Sequence, residues 1–458
     1  MVIDPLDNVE IRDDGHKYAR CAIHVGEAII KYGLPIGHAT ADIPPGEHVH
    51  THNMKTGLGE AVAYRYTPDF SDLPRTEAPL IQAYRHADGR IGIRNDLWVI
   101  PLTGCVNRLA TRLASSCGGV ALTHPYGCSQ MGKDHETTAN LLAAFARHPN
   151  AGGVLIVSLG CENNTLESFK ARLGLSADAS DGAAVGLNIR FLRAQDPGDE
   201  YARGLELLTE LKAARPEKRE PVPASELVVG LKCGGSDGFS GLTANPLVGR
   251  FCDWLVARGG SALLTEVPEM FGAETLLMKR CRTEEVFQRC VQMINGFKDY
   301  YASHGQVCYE NPSPGNKAGG ITTLEDKSLG CVQKGGKAPV EDVLCYGEHV
   351  RAHGLSLVTG PGNDLVASTV LAAAGAHLIL FTTGRGTPFG TVVPTLKVAS
   401  NMRLAESKPN WIDWDAMKCP ETDAFAAQIS KIASGEVLTR NELNGERAIA
   451  IFKDGVTL

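Results

Sequence analysis

The alternation of short apolar runs with helical segments over most of the chain constrains its fold more than any other feature. A buried-type strand at residues 97–102, LWVIPL, is followed by a Gly-containing turn and a segment of helical period. The same order recurs with GGVLIVSLG, LVVGLKCGGSDG and LILFTTGRG further along the chain. Strands that alternate with helices form parallel βαβ units, so the sequence predicts an α/β fold.

Breaks in this pattern divide the chain of 458 residues into several parts. Residues 1–66 contain short strand-like pieces between turns and predict a small β domain, and the polar, Pro-containing segment 67–82 predicts a linker. Residues 83–213 predict an α/β middle domain, 214–226 a second linker, and 227–458 a doubly wound, Rossmann-like parallel sheet.

Composition excludes several classes of protein. Hydrophobic residues make up 43% and charged residues 21% of the chain, as in globular proteins, and the net charge of −7 argues against nucleic acid or an anionic membrane as a partner. The first residues lack the pattern of a signal peptide, and no apolar run is long enough to span a membrane. We therefore expect a cytoplasmic protein whose 13 cysteines are thiols rather than disulfides.

Three of these cysteines lie in Gly-containing turns of the predicted middle domain. Cys105 is in TGCVN, Cys128 in HPYGCSQ with His124 nearby, and Cys161 in GCENN. Thiolates with imidazole and carboxylate neighbours are typical ligands of iron, zinc or an iron–sulfur cluster. The chain has no C-x-x-C pair, and isolated cysteines also serve as buried apolar residues, so both interpretations stay open.

A second cluster is the segment EHVHTHN at residues 47–53. In a strand, His48, His50 and His52 would point to one face and form a row of imidazoles. Such a row can bind a metal, contact a substrate or transfer protons near neutral pH, whereas the alternative is a solvated polar strand face.

The C-terminal domain carries polar residues at predicted strand ends. Asp237 lies in a tight turn with Asn245 shortly after it, and Arg385 lies in GRGTP, where a guanidinium could hold a carboxylate. Plain turn chemistry would explain these residues equally well. Glu266 also follows an apolar run and is a candidate oxygen ligand. Lys317 and Lys327 lie in or near Gly-containing turns and are candidate general bases.

Longer strings in the sequence resemble the altronate/galactarate dehydratase family of sugar-acid hydro-lyases. The matching strings include GEHVHTHN, YGCSQMG, CGGSDGFSGLTANP, LTEVPEMFGAE, YENPSPGNKAGGITTLEDKSLGC and FTTGRGTPFG. The resemblance implies a small β-clip (SAF) domain, a middle domain that dimerises, and a Rossmann-like catalytic domain. It also implies a ferrous iron requirement, with manganese or an iron–sulfur cluster as alternatives, and D-altronate as the substrate.

Such a reaction removes the C2 proton beside a carboxylate and expels the C3 hydroxyl, which calls for a Lewis acid, a base and an acid. We expect Cys105, His124, Cys128 and Cys161 to bind the metal, with Glu266 as a competing ligand. His48, Asp237, Asn245 and Arg385 are expected to bind substrate, Lys317 or Lys327 to be the base, and His50 and His52 to close over the sugar acid and supply the acid. A homodimer is expected. A lyase for galactarate or another hydroxy acid, and a non-catalytic sugar-acid-binding protein, are the alternatives.

Overall fold

A computed structural model describes residues 4–58, 63–307 and 310–455 of the chain. The predicted domains also include residues 1–3, 59–62, 308–309 and 456–458, which lie outside this described part. Helices and strands alternate as expected after residue 96, so the predicted α/β fold class is confirmed. Within the described residues, no helix has both the length and the apolar character needed to cross a membrane.

The N-terminal part consists of two three-stranded antiparallel sheets, ordered β1-β2-β5 and β3-β4-β6. Alternate residues of the short strands point inward, and isoleucines from the strands and turns close the core between the sheets. The strands are β1 (Val9–Ile11), β2 (Lys17–Ala19), β3 (Ala28–Lys31), β4 (Leu34–Ala39), β5 (His48–Val49) and β6 (Met54–Lys55).

The middle part is a four-stranded parallel sheet in the order β10-β9-β11-β12. Strand β11 is buried along its whole length, as a central strand covered on both faces must be. Its elements are β9 (Asp96–Pro101), α1 (Asn107–Cys117), β10 (Val120–Ala121), α2 (Gly132–Ala146), β11 (Ala151–Ser158), α3 (Leu166–Arg172), β12 (Ile189–Arg193) and α4 (Glu200–Ala214).

A small antiparallel sheet connects the middle and C-terminal parts. It contains β7 (Leu80–Arg85), β8 (Ile91–Gly92) and β13 (Glu220–Pro223) in the order β13-β7-β8. Each segment predicted to be a linker thus contributes residues to a strand. The sequence pattern did not indicate β13 because it carries two prolines, which a strand tolerates at the edge of a sheet.

The C-terminal part is a seven-stranded parallel sheet in the order β16-β17-β15-β14-β18-β19-β20. Strand order reverses beside β14, because β15 lies on one side of it and β18 on the other. The elements are β14 (Val228–Cys233), α5 (Ala244–Val256), β15 (Ser261–Leu264), α6 (Glu274–Met278), α7 (Glu284–Ser303), α8 (Pro314–Ala318), α9 (Leu324–Cys331), β16 (Val340–Leu344), β17 (Gly354–Val358), α10 (Asp364–Ala373), β18 (Leu378–Thr383), β19 (Thr395–Ala399), α11 (Met402–Ser407), β20 (Trp414–Asp415), α12 (Thr422–Ala433) and α13 (Arg440–Leu443).

The N-terminal sheets pack directly onto loops at the carboxyl end of this large sheet. A Cβ added to Gly238 would lie 1.8 Å from the carbonyl oxygen of Gly15, so the contact requires glycine. Next to it, the ammonium groups of Lys17 and Lys31 lie 2.7 and 2.9 Å from the carboxylate oxygens of Asp326, whose side chain is fully buried. The small domain is therefore held against the switch point of the sheet, where open α/β folds bind their ligands.

Candidate active site

Two loops meet where β14 and β18 diverge. The backbone N–H of Arg385 donates to the carbonyl oxygen of Gly235 over 2.9 Å. The carboxylate of Asp237 accepts hydrogen bonds from the hydroxyls of Ser240 and Ser400 and from the amide of Asn401, at 2.7–2.8 Å. Asp237 was predicted to bind substrate, but its carboxylate is used by these three donors to hold the loop after β14 against the segment that follows β19.

Asn245 is likewise occupied by the protein framework. It is buried, its amide donates to the carbonyl oxygen of Gly330, and its amide oxygen accepts from the hydroxyl of Thr382. This geometry does not favour its predicted contact with substrate and gives it a role in joining α5 to β18 and α9.

Among the described residues, two cationic side chains at the same end of the sheet have no hydrogen-bond acceptor. Arg385 is exposed, and its Nε would lie 3.7 Å from a Cβ added to Gly315 in α8. Lys317, also in α8, is half-buried. Among the described residues, no acceptor contacts the Arg385 guanidinium or the Lys317 ammonium group. Both are therefore available for the carboxylate of a small acid, as predicted for Arg385.

The histidine row faces this edge from the small domain. The ring of His48 lies 5.4 Å from that of His50 and 5.8 Å from that of His52, so the structure brings the three predicted imidazoles together. His16 extends the row, since its Nδ1 lies 3.1 Å from Nε2 of His48. The Nε2 atom of His50 lies 2.9 Å from the carbonyl oxygen of Lys317, which places the row against α8.

The surroundings of His48 and His50 favour the neutral form of both imidazoles. Burial and the neighbouring imidazoles lower the pKa of His48, and burial, Lys17 and the same imidazoles lower the pKa of His50. A neutral imidazole accepts protons, so this environment suits a base better than the acid that we predicted for the row.

Behind the loops lies a fully buried network of ions. The Lys334 ammonium group lies 3.0 Å from Glu266, and Lys232 contacts the other oxygen of the same carboxylate. The Lys327 ammonium group lies 2.7 Å from Oε1 of Glu269. Two ammonium groups thus hold Glu266, so its predicted role as a metal ligand is not favoured by this geometry.

The same network fixes the protonation of Lys327. Burial alone would lower the pKa of Lys327, but the carboxylate of Glu269 and the nearby thiols raise it above its ordinary value. The group is therefore a cation at neutral pH and cannot accept a proton, whereas the sequence predicted a base. Burial would raise the pKa of Glu269, but Lys327, Lys232 and Lys334 lower it to about 2.

The remaining oxygen of Glu269 faces two thiols. Its Oε2 atom lies 3.4 Å from Sγ of Cys233 and 3.1 Å from Sγ of Cys331, and the two sulfur atoms are 3.2 Å apart. Among the described residues, this is the group of three His, Cys, Asp or Glu side chains whose ligand atoms all lie within 4.8 Å of one another. All three side chains are buried.

Comparison with known proteins agrees with this architecture along the whole chain. Residues 4–57 match the altronate/galactarate dehydratase SAF domain, residues 83–214 the second domain of D-galactarate dehydratase/altronate hydrolase, and residues 224–457 the C-terminal domain of D-galactarate/altronate dehydratase. The chain belongs to the altronate/galactarate dehydratase family. The N-terminal pair of sheets is thus an SAF domain, as the resemblance implied.

Individual members of the family match over nearly full length. Altronate dehydratase of Bacillus subtilis is 52% identical over 98% of this chain and 94% of the relative. Altronate dehydratase of Escherichia coli is 50% identical over 99% and 95%, respectively. Galactarate dehydratase (L-threo-forming) of Escherichia coli is 33% identical over 90% and 82%.

The three thiols of the middle domain are less buried than Cys233 and Cys331. Cys105 and Cys161 are exposed and Cys128 is half-buried, in loops after three neighbouring parallel strands. These loops contact each other through backbone hydrogen bonds. The N–H of Gly104 donates to the carbonyl oxygen of Tyr126, and the N–H of Asn164 donates to the carbonyl oxygen of Gly127. The structure therefore gathers the loops at one edge, but the three thiols do not all lie within 4.8 Å of one another, as three ligands of a single ion would.

His124, the fourth predicted ligand, has no free ring nitrogen. Its Nε2 contacts the carbonyl oxygen of Pro101 over 2.8 Å, and its Nδ1 accepts from the amide of Tyr126 over 3.2 Å. Burial lowers the pKa of His124 to about 4. The imidazole is a neutral structural contact between β9 and its neighbouring loop, which does not favour metal binding.

Sequence reasoning missed several residues of the site, namely His16, Lys31, Lys232, Cys331 and Lys334. One of them left a local signal, because Lys232 interrupts the apolar strand VVGLKC and a lysine there must be paired when the strand is buried. The other residues are separated from their partners by long stretches of chain, so spacing in the sequence could not identify them.

Proposed function

We propose that this chain is a hydro-lyase that removes water from D-altronate to give 2-dehydro-3-deoxy-D-gluconate. The observation that carries the proposal is the identity of 50–52% with two altronate dehydratases over 98–99% of the chain. Identity with galactarate dehydratase is 33%, which favours altronate over galactarate.

The chemistry requires a base for the C2 proton, a proton for the departing C3 hydroxyl, and positive charge beside the carboxylate. The C2 proton is weakly acidic and becomes easier to remove when cations stabilise the charge that develops on the adjacent carboxylate. The free side chains of Arg385 and Lys317 supply such cations at the edge of the site. The histidine row lies against the same helix, α8, through the contact of His50 with the carbonyl oxygen of Lys317.

We assign the base to His50, and to Lys327 the role of a cation that holds the C3 hydroxyl of the substrate. His50 is half-buried between the SAF domain and α8. Its Nε2–H donates to the carbonyl oxygen of Lys317, so the lone pair that would take the C2 proton is on Nδ1, 3.1 Å from the rotatable hydroxyl of Thr51. The Lys327 ammonium group contacts Glu269 and, more weakly, the amide oxygens of Asn311 at 3.1 Å and Asn316 at 3.4 Å. The C3 hydroxyl of the substrate would replace the longest of these contacts. As it leaves as water, it would take up the proton that His50 removed from C2.

Ferrous iron is part of this proposal because the family resemblance implies it. Two thiols and a carboxylate suit a ferrous ion, and Cys233, Glu269 and Cys331 would hold it. When bound, such an ion would supply a Lewis acid that stabilises negative charge on oxygen.

We also propose a location and an assembly state for the protein. The twelve cysteines of the described residues are all free, which agrees with a reducing compartment such as the cytoplasm. A homodimer formed through the middle domain is proposed from the family resemblance, and light scattering of the purified chain would test it.

A substrate panel tests the function. We expect 2-keto acid to form from D-altronate in the presence of ferrous iron without oxygen, with a higher kcat/KM than for galactarate or sulfolactate. A preference for either of those acids would overturn the assignment of the substrate. Binding of D-altronate with no keto acid from any substrate would overturn the assignment as an enzyme.

A further inference from the structure

The buried thiol pair carries an inference about which metal the protein selects and where it binds. Cys233 ends β14, Cys331 ends α9, and Glu269 follows β15 in a short 3-10 helix. Three separate elements therefore deliver the three ligand atoms to one place. The sides of the triangle that they form measure 3.1, 3.2 and 3.4 Å.

This triangle is close to the size that a tetrahedral ion needs. With metal–sulfur bonds of about 2.3 Å and metal–oxygen bonds of about 2.0 Å, tetrahedral angles separate two sulfurs by roughly 3.8 Å and a sulfur and an oxygen by roughly 3.5 Å. On binding, the two sulfurs would move apart by about 0.6 Å, and each sulfur–oxygen distance would grow by about 0.1 to 0.4 Å. Three protein ligands leave the fourth position of a tetrahedron open, as in catalytic metal sites.

Charge balance favours a divalent ion. The ammonium groups of Lys232, Lys327 and Lys334 are matched by the carboxylates of Glu266, Glu269 and Asp364, which contact them. A divalent cation that displaces the protons of both thiols adds two positive and two negative charges. Asp364 is one third exposed and the other five side chains are buried, so a divalent ion bound by two thiolates leaves the charge of this cluster unchanged.

The surrounding side chains already orient the ligands. Lys327 holds Oε1 of Glu269 and leaves Oε2 facing the sulfurs, and the Lys334 ammonium group lies 2.8 Å from Sγ of Cys233. Hydrogen bonds to metal ligands of this kind fix their direction. Cys331 also borders a cavity of about 10 Å³, which it shares with Asp237 and Lys327 and which would admit about one water molecule.

We propose that Cys233, Glu269 and Cys331 form a thiolate-rich site that selects Fe(II), Zn(II) or Co(II) over Mg(II) and Mn(II). Soft thiolates prefer the former ions, whereas the latter prefer oxygen ligands. The inference depends on the proposed function only for the catalytic role of the ion, and metal binding itself can be measured without substrate.

The test uses the full chain, purified without oxygen, freed of metal with a chelator and titrated with Co(II). Wild-type protein should bind one Co(II) per chain and develop the near-ultraviolet absorption of cobalt–thiolate bonds, and excess Mg(II) should not reduce it. Cys331→Ser should weaken binding by at least about 10-fold and reduce the absorption. Cys252→Ser, which alters another buried thiol, is the matched control and should behave as wild type.

A second comparison separates this site from the middle-domain thiols. The absorption should survive in the triple variant Cys105→Ser, Cys128→Ser, Cys161→Ser. Loss of the absorption in that variant, its persistence in Cys331→Ser, or a Cys233–Cys331 disulfide in the anaerobic protein would overturn the proposal.

A measurement on wild-type protein covers the case in which Cys331→Ser does not fold. In mild denaturant, bound Co(II) should slow alkylation of Cys233 and Cys331 more than that of Cys252, which is slowed only as far as the ion stabilises the whole domain. Equal rates with and without Co(II) would overturn the site. Because neither readout uses substrate, a failure here is distinct from a failure to dehydrate D-altronate.

Discussion

The middle and C-terminal domains place cysteines at equivalent positions, after parallel strands, yet give them opposite surroundings. Cys105 and Cys161 follow β9 and β11 and are exposed, whereas Cys233 ends β14 and is buried beside Cys331. The C-terminal strand ends are covered by α8, α9 and the SAF domain. Position in the α/β pattern brings a thiol to the ligand-binding edge of a sheet, but what packs over that edge decides its environment.

The largest expected contrast is in thiol reactivity. In metal-free protein, iodoacetamide should alkylate Cys105 and Cys161 readily, as it should the exposed Cys21 and Cys345. Cys233 and Cys331 should react at least about 10³-fold more slowly, because reaction requires opening of the domain core. Peptide mass spectrometry over time gives both rates. Similar rates for the two groups would contradict the buried placement of the pair.

Loss of a buried ion pair in the interface of the C-terminal domain should lower the free energy of unfolding more than loss of a partly exposed ion pair in the middle domain. Asp326→Ala leaves the buried ammonium groups of Lys17 and Lys31 unpaired and should lower the free energy of unfolding by about 3–5 kcal/mol. Glu210→Ala in the middle domain breaks a partly exposed pair with Arg190 and should cost less than about 1 kcal/mol. Urea denaturation of both variants measures the difference, and equal losses would show that the interface is not anchored by Asp326.

Removal of the proposed base should affect turnover more than folding. We expect His50→Ala to lower kcat for D-altronate by roughly 10²-fold or more, because general-base catalysis typically contributes that much. The melting temperature should change little, since the ring is half-buried at a domain edge. His24→Ala, at an exposed histidine elsewhere in the SAF domain, is the matched control. Unchanged turnover in His50→Ala would remove the assignment.

The smallest expected effect is a shift in pH dependence. A base must be unprotonated, so kcat/KM falls as the pH drops through its pKa. Because burial and neighbouring groups lower the pKa of His50 below the ordinary 6.5, wild-type activity should persist below that pH. The ring of His16 contributes to this lowering, so His16→Asn should move the acid limb of the profile to higher pH. A shift toward lower pH would contradict the proposed electrostatics.

Much of the fold could be predicted because its signals are local. Alternating strands and helices indicated the α/β class, and the histidines of the segment EHVHTHN do form a row. The protonation roles could not be predicted in the same way. Lys327 is held as a cation by Glu269, which lies in a different loop, and His50 is kept neutral by burial under another domain.

The sequence by itself determined the order of elements, the family and the types of reactive side chain, since periodicity and long matching strings depend on neighbours along the chain. Only the tertiary structure decided which of these side chains share a site. Cys233 and Cys331 are 98 residues apart and Lys17 and Asp326 are 309 apart. Their contacts arise because the reversal of strand order at β14 opens one edge of the sheet, and burial of apolar surface closes α9 and the SAF domain over it.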